Sequence, residues 1–150
     1  MPNKKIKIST INEMFDLGVQ ISKQLVTGDL IILTGDLGAG KTVLAKGIGS
    51  GLGHKTVSSP TFVISRIYKG KPNFIHIDAY RLLGFGSESF IDLDFETYLD
   101  TSIFVIEWGK DFINTLSEQY LELVIKPGES DDSRVVELSP IGNRWSNFQL

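Results

Sequence analysis

The residues best suited to chemistry lie in the segment GDLGAGKT, residues 35–42, which only Thr34 separates from the apolar run LIIL. The segment satisfies the pattern G-x-x-x-x-G-K-[ST], and a strand before it and a helix after it are the required context. Its glycines allow a tight turn whose backbone N–H groups point at one anion, and the helix start adds partial positive charge. In such a loop the lysine, here Lys41, reaches the β- and γ-phosphates, and the hydroxyl of Thr42 ligates Mg²⁺. The segment therefore predicts a phosphate-binding loop, or P-loop.

Two further predicted strands, residues 74–78 and 103–107, each end in a carboxylate, Asp78 and Glu107. A P-loop that binds Mg²⁺ needs an acid at the end of a neighbouring strand, because this ion prefers oxygen ligands. Composition does not rank the two acids. Either one, taken alone, could instead cap the following helix or pair with Arg81.

Three other residues each have two possible roles. Thr61 follows Pro60 in the segment SSPTF, which is either a switch that senses the γ-phosphate or an ordinary loop. His76 alternates with isoleucines on a predicted strand, so we expect a hydrogen-bonded packing histidine rather than a ligand. Trp108 is either part of the core or part of the wall beside the nucleotide, and we expect the core.

The predicted elements around these residues alternate strands with helices, which is typical of an α/β fold. Residues 5–9 read as an edge strand, and Thr10 with Glu13 matches a capping box that begins a helix ending near residue 25. Buried strands are expected at 30–34 and 102–107, helices at 43–52, 87–90, 95–99 and 110–116, and hairpins at 63–78 and 120–139. The pattern predicts one domain over residues 1–150, a three-layer P-loop NTPase. Its central sheet would be mixed and mainly parallel, with antiparallel hairpin strands.

Composition excludes several other functions. The chain has 150 residues, a formal net charge of −3, 22% charged residues and no cysteine. The charge argues against tight, unaided binding to nucleic acid, and the missing cysteines rule out disulfides and thiolate metal sites. No stretch approaches the roughly 20 apolar residues of a membrane span, so we expect a cytoplasmic protein that does not associate with a membrane.

The segments GDLGAGKT, SSPTF, HIDAYR and VIEWG occur in this order between residues 35 and 109. Their combination resembles the bacterial TsaE family, formerly called YjeE, a small P-loop ATPase needed to make threonylcarbamoyladenosine in tRNA. The resemblance implies binding of ATP and Mg²⁺ and slow hydrolysis stimulated by a partner, a TsaB–TsaD-type complex. It also implies that tRNA is reached indirectly, through that complex. The isolated chain is expected to be a monomer.

The resemblance also implies roles for individual residues. Glu107 corresponds to the acid that holds the metal together with Thr42, Asp78 to a residue important for activity, and Thr61 to the switch. Thr10 and Arg134 match positions near the adenine end. The residues expected around the phosphates are Leu37, Gly38, Ala39, Gly40, Lys41, Thr42 and Val43.

Two rival functions use the same loop. A small-molecule kinase needs an arginine-rich lid and an acceptor pocket, and the chain has four arginines in all. A GTP-dependent switch needs an Asn-Lys-x-Asp motif after a strand, and the only Asn-Lys pair is Asn3-Lys4, which Lys5-Ile6 follows.

Overall fold

A mixed sheet of seven strands runs through the centre of the structure, a computed structural model that describes residues 4–55, 57 and 64–150. Helices cover both faces of the sheet, which confirms the predicted three-layer α/β architecture. The strands are β1 (Lys4–Ile8), β2 (Leu30–Thr34), β3 (Ser65–Tyr68), β4 (Asn73–Asp78), β5 (Ser102–Glu107), β6 (Tyr120–Pro127) and β7 (Arg134–Ile141). The α-helices are α1 (Ile11–Ser22), α2 (Lys41–Gly51) and α3 (Ser87–Ile91), and 3₁₀ helices cover Tyr80–Leu82, Phe95–Thr101, Ile113–Thr115 and Asn143–Trp145. No helix in this part of the chain is long and apolar enough to cross a membrane.

The strand order is β1-β7-β6-β2-β5-β4-β3. The central strands β6, β2, β5 and β4 are parallel, whereas β1, β7 and β3 run antiparallel to the strands beside them. The two predicted hairpins are therefore confirmed as β3–β4 and β6–β7. In β2, Ile31 and Leu33 pack on the side of α1 and α2, while Leu30 and Ile32 pack on the opposite side. Burial on both faces explains the unbroken apolar run in this strand.

The parallel arrangement brings the predicted site residues to one edge of the sheet. The P-loop follows the carboxyl end of β2, and Asp78 and Glu107 are the last residues of β4 and β5. Asp78 lies opposite Glu107 in the sheet register, and Glu107 lies opposite Leu33. Ligand sites of open α/β sheets form at this edge, outside the carboxyl ends of the strands.

Helices α1 and α2 approach each other closely because both carry glycine at the contact. A Cβ atom built on Gly18 would lie 2.6 Å from the carbonyl oxygen of Leu44, and one on Gly47 would lie 2.1 Å from that of Phe15. Neither position has room for a side chain. The contact fixes α2, and with it the P-loop that forms the start of this helix, against α1.

Two helices are shorter than the sequence predicts. Helix α1 ends at Ser22 instead of near residue 25, because the backbone tightens into turns in which Gln24 and Leu25 donate to carbonyls three residues earlier. The predicted helix at 110–116 is reduced to the single 3₁₀ turn Ile113–Thr115.

Candidate nucleotide-binding site

The P-loop has an open, glycine-shaped inner surface. Gly38 and Gly40 have φ values of 80° and 109°, a left-handed conformation that other residues adopt only with strain. A Cβ atom on Gly38 would meet nothing within 4 Å, so the loop surface there is free. Gly40 is the N-cap of α2 and brings no side chain to the N–H groups of the first helical turn. These groups have no partner within the helix, which makes them donors for an anion.

Lys41 lies at the start of α2 with only 5% of its surface exposed. Its Nζ donates to the carbonyl oxygens of Gly35 at 2.5 Å and Asp36 at 2.8 Å, and lies 4.5 Å from the centre of the Trp108 ring. Burial lowers the pKa of the Lys41 ammonium, against the opposing effect of the carboxylates of Glu107, Asp78 and Asp36. None of the described carboxylates lies within 4.0 Å of this ammonium, so its charge remains available for a phosphate.

Trp108 was expected in the core, and the structure places it at the edge of the core, packed against it but not inside it. The side chain is partly exposed and lines a pocket together with Lys41. The cause is a backbone turn directly after β5, where Trp108 has φ of 60°, a conformation that is unfavourable for a bulky residue. The turn places the ring against the core residues beneath the sheet and, at the same time, beside the ammonium of Lys41. Nothing in the local sequence signals a positive φ at this position.

The two acids have different surroundings. Glu107 is 4% exposed, and its Oε2 lies 2.6 Å from Nε2 of His76. Asp78 is half-buried, and its Oδ1 accepts a hydrogen bond from the backbone N–H of Tyr80 at 3.1 Å. Burial raises the pKa of Asp78, and the carboxylate of Glu107 adds to this effect, whereas the Tyr80 N–H, His76 and Lys41 oppose it.

The prediction for His76 is confirmed: its ring is fully buried and hydrogen-bonded. The sequence did not reveal that the partner is Glu107, 31 residues further along the chain. One signal that His76 could face an acid was available: His76 and Asp78 are two residues apart on a strand and therefore lie on the same face.

Three pockets in the described part of the chain are lined by P-loop residues, and two of them together contain the predicted site residues. The first has a volume of about 380 Å³ and is lined by Leu37, Gly38, Gly40, Lys41, Thr42, Val43, Asp78, Glu107 and Trp108. The second has a volume of about 460 Å³ and is lined by Ile8, Ser9, Thr10, Ile11, Met14, Gly38, Ala39, Gly40, Val43, Asp132 and Arg134. Every predicted site residue except Thr61 therefore lines one or both pockets, and Thr61 lies outside the described residues. The apolar residues Ile8 and Met14 of the second pocket were not predicted.

The described residues of the first pocket offer few side-chain ligands for a metal ion. The described part of the chain contains no group of three or more His, Cys, Asp or Glu residues suited to bind an ion. The pocket does contain the hydroxyl of Thr42 and the carboxylates of Asp78 and Glu107. Few protein oxygens suit Mg²⁺, which keeps several waters and takes further ligands from substrate phosphates.

Comparison with known proteins gives a consistent result. The family model described as "Threonylcarbamoyl adenosine biosynthesis protein TsaE" matches residues 8–136. A protein from Streptomyces coelicolor named "tRNA threonylcarbamoyladenosine biosynthesis protein TsaE" is 42% identical over 144 residues, which covers 91% of this chain and 97% of the relative. A protein of the same name from Bacillus subtilis is 36% identical and covers 79% of this chain and 73% of the relative. The crystal structure of YdiB from Bacillus subtilis superposes with a TM-score of 0.76 at 30% identity, covering 95% of this chain and 88% of that one.

Proposed function

The chain belongs to the TsaE family, and on this premise we propose that it is a Mg²⁺-dependent ATPase required to form threonylcarbamoyladenosine in tRNA. The pathway is supported by the names of the relatives. The observation that carries the ATPase proposal is the first pocket. It combines the open P-loop, the buried ammonium of Lys41 and two strand-end carboxylates in about 380 Å³.

Each residue of that pocket has a role in the proposal. The N–H groups at the start of α2 and the ammonium of Lys41 bind the phosphates. Thr42 and Glu107 would hold Mg²⁺, which would supply positive charge to offset that of the phosphates. Asp78 would position the attacking water, because its half-buried side chain lines the same pocket. Thr61 would belong to a switch segment that senses the γ-phosphate.

The second pocket would take the adenine end of the nucleotide. It shares Gly38, Gly40 and Val43 with the first pocket, so a ligand whose phosphates lie in the loop reaches it without a gap. Thr10 lies at one side, where its hydroxyl accepts from the backbone N–H of Glu13 and caps α1. Arg134 lies at the other side, and its guanidinium donates to the carbonyl oxygens of Asp131 and Ser133.

The output of ATP turnover would be a conformational change in a TsaB–TsaD-type partner complex in the cytoplasm. No arginine is among the described residues that line the first pocket. An arginine supplied to the γ-phosphate accelerates related enzymes by about 10³–10⁵. We therefore expect slow hydrolysis by the isolated chain, a monomer, and faster hydrolysis with the partner. The net charge of −3 favours an indirect encounter with tRNA, through that complex.

The test combines binding, turnover and partner capture. Calorimetry with ATP, ADP and GTP should show adenosine preference and a gain in affinity from Mg²⁺. A pull-down with the TsaB–TsaD pair in ATP, in ADP and without nucleotide should show nucleotide-dependent capture. Preference for guanosine would point to a GTP-dependent switch, and stoichiometric transfer of phosphate to a small acceptor would point to a kinase. Either result would overturn the proposal.

The two acids are distinguished by substitution. E107A should weaken the Mg²⁺ dependence of hydrolysis more than D78A does, because Glu107 is assigned to the metal and Asp78 to the water. E88A is the matched control, since Glu88 is an exposed acid on α3. If D78A had the larger effect in magnesium titrations, the two roles would have to be exchanged.

A further inference from the structure

We propose that His76 is a positioning residue that holds the Glu107 carboxylate in the orientation needed to bind Mg²⁺. The inference rests on the function proposed above and adds a residue to its machinery. Nε2 of His76 lies 2.6 Å from Oε2 of Glu107, a distance typical of a strong hydrogen bond to a charged acceptor. None of the described residues donates to the other oxygen, Oε1, while Glu107 lines the first pocket.

The sheet fixes the histidine relative to the acid. In the register of β4 and β5, His76 lies opposite Val105 and Asp78 lies opposite Glu107. His76 therefore lies on the same face as both acids, one strand away from Glu107. Its ring is fully buried and stacks on the ring of Phe74, with centroids 6.3 Å apart and planes inclined by 28°. A ring held in this way is a rigid donor.

The unpaired ring nitrogen indicates which tautomer is present. Nδ1 of His76 is buried and has no hydrogen-bond partner among the described residues. A proton on Nδ1 would be a buried donor without an acceptor, which is costly. The ionised carboxylate of Glu107 can only accept, so the proton of a neutral His76 belongs on Nε2. The ring therefore donates to Oε2 and leaves Oε1 for the pocket.

This contact matters because a glutamate carboxylate has weak preferences of its own. The last torsion of the side chain is broad, so a free carboxylate would sample many orientations. Donors that orient a metal-binding group typically change metal affinity by about 10–100-fold when they are removed. His76 would orient the Glu107 carboxylate without touching either the metal or the nucleotide.

The test compares two substitutions of similar size, H76Q and H76M. Gln keeps an N–H donor that Met lacks. We define the magnesium gain as the affinity for ADP with Mg²⁺ divided by the affinity without it, both from calorimetry. H76M should lower this gain by about 10–100-fold. If the wild-type gain is smaller than that factor, the gain of H76M should fall to unity, at which Mg²⁺ no longer raises the affinity for ADP. H76Q should keep most of the gain, and affinity for ADP without Mg²⁺ should be unchanged in both.

The control variant is I77V. Ile77 is fully buried in the same strand but packs on the opposite face of the sheet. The I77V substitution should lower the thermal stability of the chain and leave the magnesium gain unchanged. If H76M keeps the wild-type gain, or if H76Q and H76M lose it equally while I77V does not, the proposed hydrogen bond has no positioning role.

A measurement on the wild-type chain decides the matter if the variants do not fold. The chain has two histidines, so His54 is an internal control. Nitrogen-15 spectra of the histidine rings should show the Nε2–H tautomer for His76. Adding Mg²⁺ to the ADP-bound chain should shift its Nε2 signal but not the signals of His54. An Nδ1–H tautomer, or no response of Nε2 to Mg²⁺, would overturn the inference.

The two proposals can fail separately. A wild-type chain that binds no ADP, or shows no magnesium gain, would remove the proposed function and with it the role of His76. A wild-type chain with a clear gain that H76M retains would leave the ATPase proposal intact and remove only the inference.

Discussion

Replacing Lys41 by methionine should separate nucleotide binding from folding. Methionine is close to lysine in length and keeps the apolar stem, but it removes the ammonium. In the structure this group donates to the carbonyl oxygens of Gly35 and Asp36 and lies over the ring of Trp108. Burial disfavours the charge, as the lowered pKa of Lys41 shows. We therefore expect K41M without nucleotide to unfold at the same temperature as the wild type, or higher.

The loss of nucleotide affinity follows from the hydrogen bonds exchanged on binding. Two bonds from an ammonium to phosphate oxygens contribute about 3–6 kcal/mol in total. At least one carbonyl contact of the same ammonium must be given up, which offsets about 1.5–3 kcal/mol. The net value of about 1.5–3 kcal/mol corresponds to a loss of roughly 10-fold to 150-fold in affinity for ATP, at about 1.4 kcal/mol for each factor of ten.

Calorimetry with Mg²⁺ and ATP measures this loss, and thermal unfolding with and without nucleotide measures folding. K46M is the matched control, because Lys46 is exposed on the same helix. It removes the same charge from the chain and should bind ATP as the wild type does. Affinity of K41M within a few-fold of the wild type would refute the assignment of Lys41. A large drop in its unfolding temperature without nucleotide would show a structural role instead.

Three further predictions concern pH, fluorescence and packing. Because burial raises the pKa of Asp78 above 3.8, its ionisation favours the unfolded chain. D78N should equal the wild type in stability below that pH and become relatively more stable as pH rises to the folded-state pKa of Asp78, with a constant difference above it. Urea unfolding at several pH values measures this difference. A difference that changes with pH in the opposite direction would contradict a pKa raised by burial. The chain has two tryptophans, and only Trp108 lines the first pocket, whereas Trp145 is 1% exposed. Binding of ADP should change the fluorescence of the wild type and of W145F but not of W108F, and a response retained by W108F would contradict the placement of its ring. G47A should lower the unfolding temperature, because the new Cβ would lie 2.1 Å from the carbonyl oxygen of Phe15. Overpacking of about 1–3 kcal/mol corresponds to a decrease of roughly 2–12 °C. An unchanged or higher unfolding temperature would show that α1 and α2 separate easily.

Local features of the site were predictable because their causes are local. The P-loop glycines, Lys41 and Thr42 all lie within eight residues, and the apolar run before this segment identifies β2. The acids Asp78 and Glu107 were found because each ends an apolar run. Parallel strands bring such ends to a common edge, so their proximity followed from the fold class.

Contacts between distant segments were not predictable in this way. Whether His76 meets an acid depends on β4 and β5 being neighbours, and on a register that places Asp78 beside Glu107. A shift of one residue in that register would turn His76 to the other face of the sheet relative to Glu107. The position of Trp108 depends on a backbone turn with φ of 60°, which is stable only because the surrounding chain holds it.

The sequence by itself determined the α/β class, the anion-binding loop and the pair of candidate acids, since periodicity and short-range spacing encode them. Only the tertiary structure decided that Glu107, rather than Asp78, is buried against a histidine, and that Trp108 faces Lys41. It also decided that the strand β1, the start of α1 and the strand β7 form one pocket beside the loop. The physical reason is that burial and pairing depend on which strands become neighbours, and that choice is made by the packing of the whole chain.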